Sequence, residues 1–207
     1  QALDRLNEIR GIGFGRLAIG ILPYGISSTM GRLIGRFRER YPNLEVRVGI
    51  GSASFLAQRL KSGELDFMVS ELQESLPADE VVQEPLFRLR YGLVVGQKHP
   101  LAGKRSLTLK RVLDYPLAYA RTWRAVLHNW SQTFTDEGLE PPRPSIGEAT
   151  DDFFINLVTH RNTVAVLPMA GSFTDAIEAG QLAELHVPKI DWASTVALIY
   201  RANETLS

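Results

Sequence analysis

Cysteine is absent from this chain of 207 residues, which excludes disulfides, thiolate nucleophiles and cysteine metal sites together and leaves the redox compartment undetermined by that test. An excess of either charge is also missing. Lys and Arg number 23, and Asp and Glu number 23, a balance unlike that of a chain built mainly to neutralise nucleic-acid phosphates. No run reaches the roughly 18 uninterrupted apolar residues that a membrane span requires. The opening QALDRLNEIR has neither the basic start nor the apolar core of a signal peptide. Enzyme signatures are lacking too: there is no G-x-S-x-G, no Walker sequence and no H-E-x-x-H. His99, His128, His160 and His186 are scattered without ligand spacing, so each reads as a surface or packing histidine, and no metal or cofactor is expected.

What is present is an apolar fraction of 44%, enough to fill the core of one or two lobes. Residues 15–66 read as a β-α-β-α-β series. Leu17, Ile19 and Ile21 begin a strand, Pro23 and Gly25 turn the chain, and Ser27, Ser28 and Thr29 offer caps for a helix striped by Met30, Leu33, Ile34, Phe37 and Tyr41. Leu44, Val46, Val48 and Ile50 then alternate with small or charged residues, as in a strand with one face buried. Ser52 or Ser54 caps a second helix burying Leu56 and Leu60, and residues 65–69 form the third strand. Upstream, Ala2, Leu3, Leu6 and Ile9 have near-helical spacing, and GIGFG at residues 11–15 breaks it as a joint. Because that glycine run precedes a strand rather than lying between strand and helix, it is not a dinucleotide fingerprint.

A β-rich run over 87–95 is long enough to pass from one lobe to another. A second αβ series follows: a strand at 117–120, a helix striped by Val126, Leu127, Trp130 and Phe134, a helix opened by Thr150, Asp151 and Asp152, a strand at 164–167, and a helix ending at Gly180. Residues 195–200 form a strand that crosses back. The expected class is α/β, two αβ subdomains joined by two crossing strands.

In open α/β sheets ligands bind beyond the C-terminal ends of the strands, where helix N-termini present free N–H groups and a positive dipole end. Tyr24, Gly25, Ser27 and Ser28 stand at the first such turn, Ser52 and Ala53 at the second, and Ser70 with Glu71 after the third strand. The plainer role of the serines is capping, which does not exclude a ligand contact. In the second lobe Arg121, Thr122, Trp123 and Arg124 follow a strand. A guanidinium there can hold a carboxylate through two parallel hydrogen bonds, or it can be a solvated arginine. Trp123 reads as a packing residue or as an aromatic wall. Arg32, Arg36 and Arg40 read as a solvated helix face or a subunit contact.

GRLAIG, FRERYPNLEV, GSASFLAQRLKSGELDF, PLFRLRYGLVVGQKHPLAG, YPLAYA, TDEGLEPP, LVTHRNTVAVLP and LIYRANETLS succeed one another in an order and spacing that resemble the effector-binding domain of LysR-type transcriptional regulators, over nearly the whole chain. The resemblance implies a fold like the type 2 periplasmic binding proteins, with a small-molecule effector in the cleft. It implies lobe I at 15–95 and 196–207, lobe II at 96–195, and in 1–14 the end of a linker helix and a joint. It places Thr150 at a cleft position and gives effector contacts to the turns named above. It implies a cytoplasmic regulator that reaches DNA only through an N-terminal winged helix-turn-helix, with domains pairing antiparallel as a homodimer through residues 28–41 and 123–136, and tetramers in the full-length protein. The pattern also places a helix after Leu206 and Ser207. One departure is plain: Arg161 and Thr163 stand where glycines are common. The arginines point to a carboxylate or other oxyanion as effector. The alternative is a solute-binding protein of a transporter, which a signal peptide upstream would favour; an enzyme on the same scaffold lacks its catalytic constellation.

Overall fold

The computed structural model describes residues 15–23, 25–119, 124–143, 146, 149–188 and 190–202, and their side chains apart from those of 124–128. The linker helix and joint expected in 1–14 lie outside the described residues. The chain divides into two compact units, Gln1–Arg88 with Thr195–Ser207, and Leu89–Ser194. The family pattern draws the first passage at 95/96; the compact units divide at 88/89.

The first unit is built on β1 (Gly15–Ile21), α1 (Ile26–Arg40), β2 (Leu44–Ile50), α2 (Ala53–Lys61), β3 (Phe67–Glu71), the start of β4 (Val81–Gly96) and most of β8 (Trp192–Arg201). Its strand order is β2-β1-β3-β8-β4. β1 is parallel to β2 and β3, as helical crossovers demand, and β3 is antiparallel to β8. Leu56 and Leu60 of α2 are fully buried with Met68, Ala197 and Ile199, so α2 is the helix that closes the core on one face of the sheet. Its C-terminal carbonyls do not go unpaired. The Arg201 guanidinium donates to the Leu60 and Leu65 carbonyl oxygens, and the Arg59 carbonyl accepts from the Glu64 and Leu65 N–H groups.

Three expectations for this unit need correction. Gly25, at φ 63°, is the N-cap of α1, and no side chain caps that helix; the Ser28 hydroxyl instead donates back to the Gly25 carbonyl at 3.4 Å. The stripe of α1 is largely uncovered, since only Ile26 and Met30 are buried and Leu33 is 45% exposed. The alternating face of β2 is buried only at Leu44, while Val48 and Ile50 are 44% and 56% exposed. The physical reason is position: β2 is an edge strand. Alternation says which side chains share a face, not that anything covers it.

The second unit contains the rest of β4, α3 (Leu109–Val112), β5 (Leu117–Ala118), α4 (Arg124–Asp136), α5 (Asp151–His160), β6 (Val164–Pro168), α6 (Ser172–Glu178) and β7 (Leu182–Leu185). Here β4 is antiparallel to both β6 and β7, and β5 is parallel to β6. The short α3 and β7 carry too few residues to show a period. Trp130 is the hub of the aromatic core, with ring centroids 4.8 Å from Tyr119, 4.7 Å from Phe134 and 5.1 Å from Trp192. Two polar tips are tied down: the Trp192 indole N–H donates to Thr133 Oγ1 at 3.0 Å, and the Tyr119 hydroxyl donates to the Pro142 carbonyl at 2.9 Å. Burial pushes the Tyr119 phenol up to about 12.

Candidate functional site

In the first unit the parallel register does the assembling. Ile21 pairs with Ile50 on one side and with Val69 on the other, so the turns that follow β1, β2 and β3 emerge at one end of the sheet. Tyr24 lies outside the described residues. Gly25 is buried, and Ser27 and Ser28 are half-buried in the first turn of a helix that has no side-chain cap. A helix start of that kind presents donors to an anion.

The second turn is fastened to the first strand by a hydrogen bond from the Gly51 N–H to the Ile21 carbonyl at 3.4 Å. Ser52 is the N-cap of α2: its Oγ accepts from the Phe55 N–H at 3.4 Å and lies 3.2 Å from the Ser54 hydroxyl. Ala53 is the first helical residue. Ser70 and Glu71, expected just after the third strand, are its last two residues. Ser70 is fully buried, and the Gln73 side-chain amide donates to its Oγ at 3.4 Å. Gln73 and Gln83 also hold each other, the Gln73 N–H donating to Gln83 Oε1 at 2.9 Å and Gln83 Nε2 to the Gln73 carbonyl at 3.0 Å. Ser70 therefore serves the end of β3 as a packed polar residue.

In the second unit Arg121, Thr122 and Trp123 lie outside the described residues, and so does the side chain of Arg124, which begins α4. Thr150 is the N-cap of α5, its Oγ1 accepting from the Phe153 N–H at 3.3 Å, with Asp151 and Asp152 in the first turn where acids suit the dipole. Arg161 is exposed at the end of that helix, whereas Thr163 is buried and donates its N–H to the Arg161 carbonyl at 2.7 Å. Thr163 lines a cavity of about 520 Å³ together with Tyr115, Pro142, Arg143 and Leu157.

Two residues escaped the sequence reading. Phe55 and Phe153 are each 48% exposed, and each supplies the N–H that the capping oxygen of Ser52 or Thr150 accepts. An aromatic three residues after a cap is the signal that marks them. The Phe55 ring lies so close to Gly51 that a Cβ there would stand 2.5 Å from it. Among the described residues no group of three His, Cys, Asp or Glu could hold a metal ion. His99 is buried, its Nδ1 accepting from the Leu101 N–H at 3.1 Å and its ring 4.5 Å from Tyr115.

A family model described as LysR substrate binding domain matches residues 13–207. Among curated proteins, the HTH-type transcriptional regulator GbpR of Rhizobium radiobacter is 24% identical over 203 residues, covering 95% of this chain and 66% of its own length. The chain thus spans just under two thirds of that relative. Among solved structures, the regulatory domain of Synechocystis CcmR in complex with 2-PG superposes with a TM-score of 0.75 at 16% identity, over 93% of this chain and 90% of that one. The effector binding domain of QuiR in complex with shikimate gives 0.73 at 17% identity, over 92% and 89%. At these identities the likeness is one of fold, the periplasmic-binding-protein-like type 2 fold of such domains.

Proposed function

The chain belongs to the LysR substrate binding domain family, and from that premise we propose that it is the ligand-sensing part of a transcriptional regulator, binding a small anionic effector without enzymatic activity. The observation that carries this reading is a set of helix starts: uncapped helix N–H groups after β1, the Ser52 cap after β2, and the Thr150 cap in the second unit. The first offers N–H donors to an anion, and the two cap hydroxyls, which accept from helix N–H groups, keep their own protons to donate. Relatives carrying regulator names support regulation over transport.

In this reading Tyr24 to Ser28, Ser52 and Ala53 supply groups from the first unit, and Arg121 to Arg124 with Thr150 supply them from the second. Ser70, fully buried with its Oγ held by Gln73, is left out of the set. An effector that draws on both sets shifts the protein toward whichever conformation engages both, by no more than its preference for that conformation. DNA is reached through a helix-turn-helix elsewhere in the protein, in the cytoplasm. Pairing of two copies through α1 and α4 then couples effector binding to the spacing of the DNA readers. Exposure of Leu33 on α1 and of Val48 and Ile50 on β2 supports such pairing.

Calorimetry with a panel of small carboxylates and phosphate esters tests the reading, with saturable binding expected for at least one. Arg121→Ala or Arg124→Ala should weaken that ligand by about 1.5 to 3 kcal/mol, the worth of a charged hydrogen bond. Chemical turnover of the ligand would sink the non-enzymatic reading, and unchanged affinity in both variants would remove the arginines from the site.

A further inference from the structure

Away from the strand-end turns, at the other end of α2 from Ser52, the first unit carries a groove of about 500 Å³ lined by Arg16, Arg47, Val48, Arg59, Glu64 and Leu65, with Ala18 and Gly49 as its floor. The parallel register builds it. Arg16 pairs with Glu45 and Ala18 with Arg47, which puts the two arginines on neighbouring strands, one step apart along the same face. Arg59 comes down onto that face from α2. It can do so because residue 49 is glycine: a Cβ there would stand 3.0 Å from the Arg59 guanidinium.

The hydrogen bonds use only the inner nitrogen of two of these side chains. Arg59 spends its Nε on Glu64 at 2.9 Å and lies 5.6 Å from the Phe55 ring centroid. Arg47 spends its Nε on Glu45 at 2.7 Å. In both, the terminal nitrogens are not engaged by those bonds, and Arg16 is exposed with no polar partner for its side chain among the described residues. Glu64 is held below the usual carboxylate range by its hydrogen bonds from Arg59 and Ser62. The negative end of α2, which would repel an anion, is offset where Arg201 donates to the Leu60 and Leu65 carbonyls. Three guanidinium forks thus face two carboxylates, both already paired, over an apolar floor.

We propose that this groove is a second ligand site, for an oxyanion of the phosphate or carboxylate type carried on a small organic body. Planar forks bind two-oxygen faces in pairs, and a cavity of about 500 Å³ leaves room for more than the anion itself. The proposal does not rest on the effector reading, because none of its residues belongs to the strand-end turns.

Amide NMR titration of the 207-residue chain at fixed ionic strength tests it, with inorganic phosphate, glycerol phosphate and succinate as separate probes. Saturable shifts are expected at Ala18, Gly49 and Leu65, with a dissociation constant of their own whether or not Ser52 and Thr150 also move. Glycerol phosphate and succinate distinguish a phosphoryl from a carboxylate ligand. Arg16→Ala and Arg47→Ala, both surface changes, should each weaken binding about ten-fold. Arg59→Lys, which keeps the charge and loses the fork, should weaken it as well. Absence of saturable shifts at the groove with all three probes, or equal affinity in Arg16→Ala, Arg47→Ala and the parent, would overturn the proposal.

Discussion

At the scale of single residues, the caps and one histidine carry the clearest expectations. Ser52 accepts one N–H of α2, and Ser52→Ala should cost about 1 kcal/mol of stability in urea denaturation. Because its oxygen stands 3.4 Å from the Phe55 nitrogen, a result at the low end of the range for caps is expected. His99 answers to pH. Burial lowers its pKa from the ordinary 6.5, with the Asn162 backbone pulling the other way. A buried imidazole whose Nδ1 accepts from the Leu101 N–H must give up that bond to be protonated there. Below 6.5 the unfolded chain therefore binds more protons than the folded one, so the stabilisation is complete above 6.5 and is lost as pH falls toward the folded value. Denaturation of the parent and of His99→Gln at about pH 7.5 and about pH 5.5 should show the steeper loss in the parent. Equal slopes would remove His99 from the acid response.

At the scale of elements, the packing of α5 against β4 is decided by one glycine. A Cβ on Gly96 would stand 2.5 Å from the Val158 carbonyl oxygen and 3.0 Å from the Thr159 Cα. Both obstacles are backbone, so the helix itself would have to move, and Gly96→Ala should cost about 1 to 3 kcal/mol. Little of this was legible in the sequence, where a glycine after a β-rich run does not show which helix it will touch. The elements themselves were largely legible: β1, α2, α5 and β6 fall where alternation, caps and apolar spacing place them. What escaped were the pieces too short to show a period, α3 and β7, and the burial of faces. Leu33, Val48 and Ile50 share the spacing of core residues and are exposed, because spacing reports phase along an element and not the neighbour that covers it. For the candidate site the same division holds. Ser52 and Thr150 were readable as caps since capping is local, whereas the burial of Ser70 depends on β3 continuing beside β8, through Ser70 opposite Ala197.

At the scale of the whole molecule, the exposed apolar side chains of α1 and β2 bear on assembly. Sedimentation at micromolar concentration should give the mass of two chains, and a charge at Val48 or Leu33 should shift the population toward one. A parent chain that sediments as a single copy would count against pairing through this face. Effector binding also has a molecular readout: a ligand at one hundred times its dissociation constant should raise unfolding stability by about 2.7 kcal/mol if it binds only the folded protein.

The sequence by itself determined which segments become strands and helices, where helices α2 and α5 begin, and that these 207 residues supply no thiol, because these follow from local sterics, capping and composition. Tertiary structure alone decided which apolar faces stay open, that Ser70 is enclosed, and that Arg16, Arg47 and Arg59 meet over Ala18 and Gly49. Those residues are brought together by strand register and helix placement, and a one-dimensional pattern holds no information on which of several compatible neighbours a face will meet.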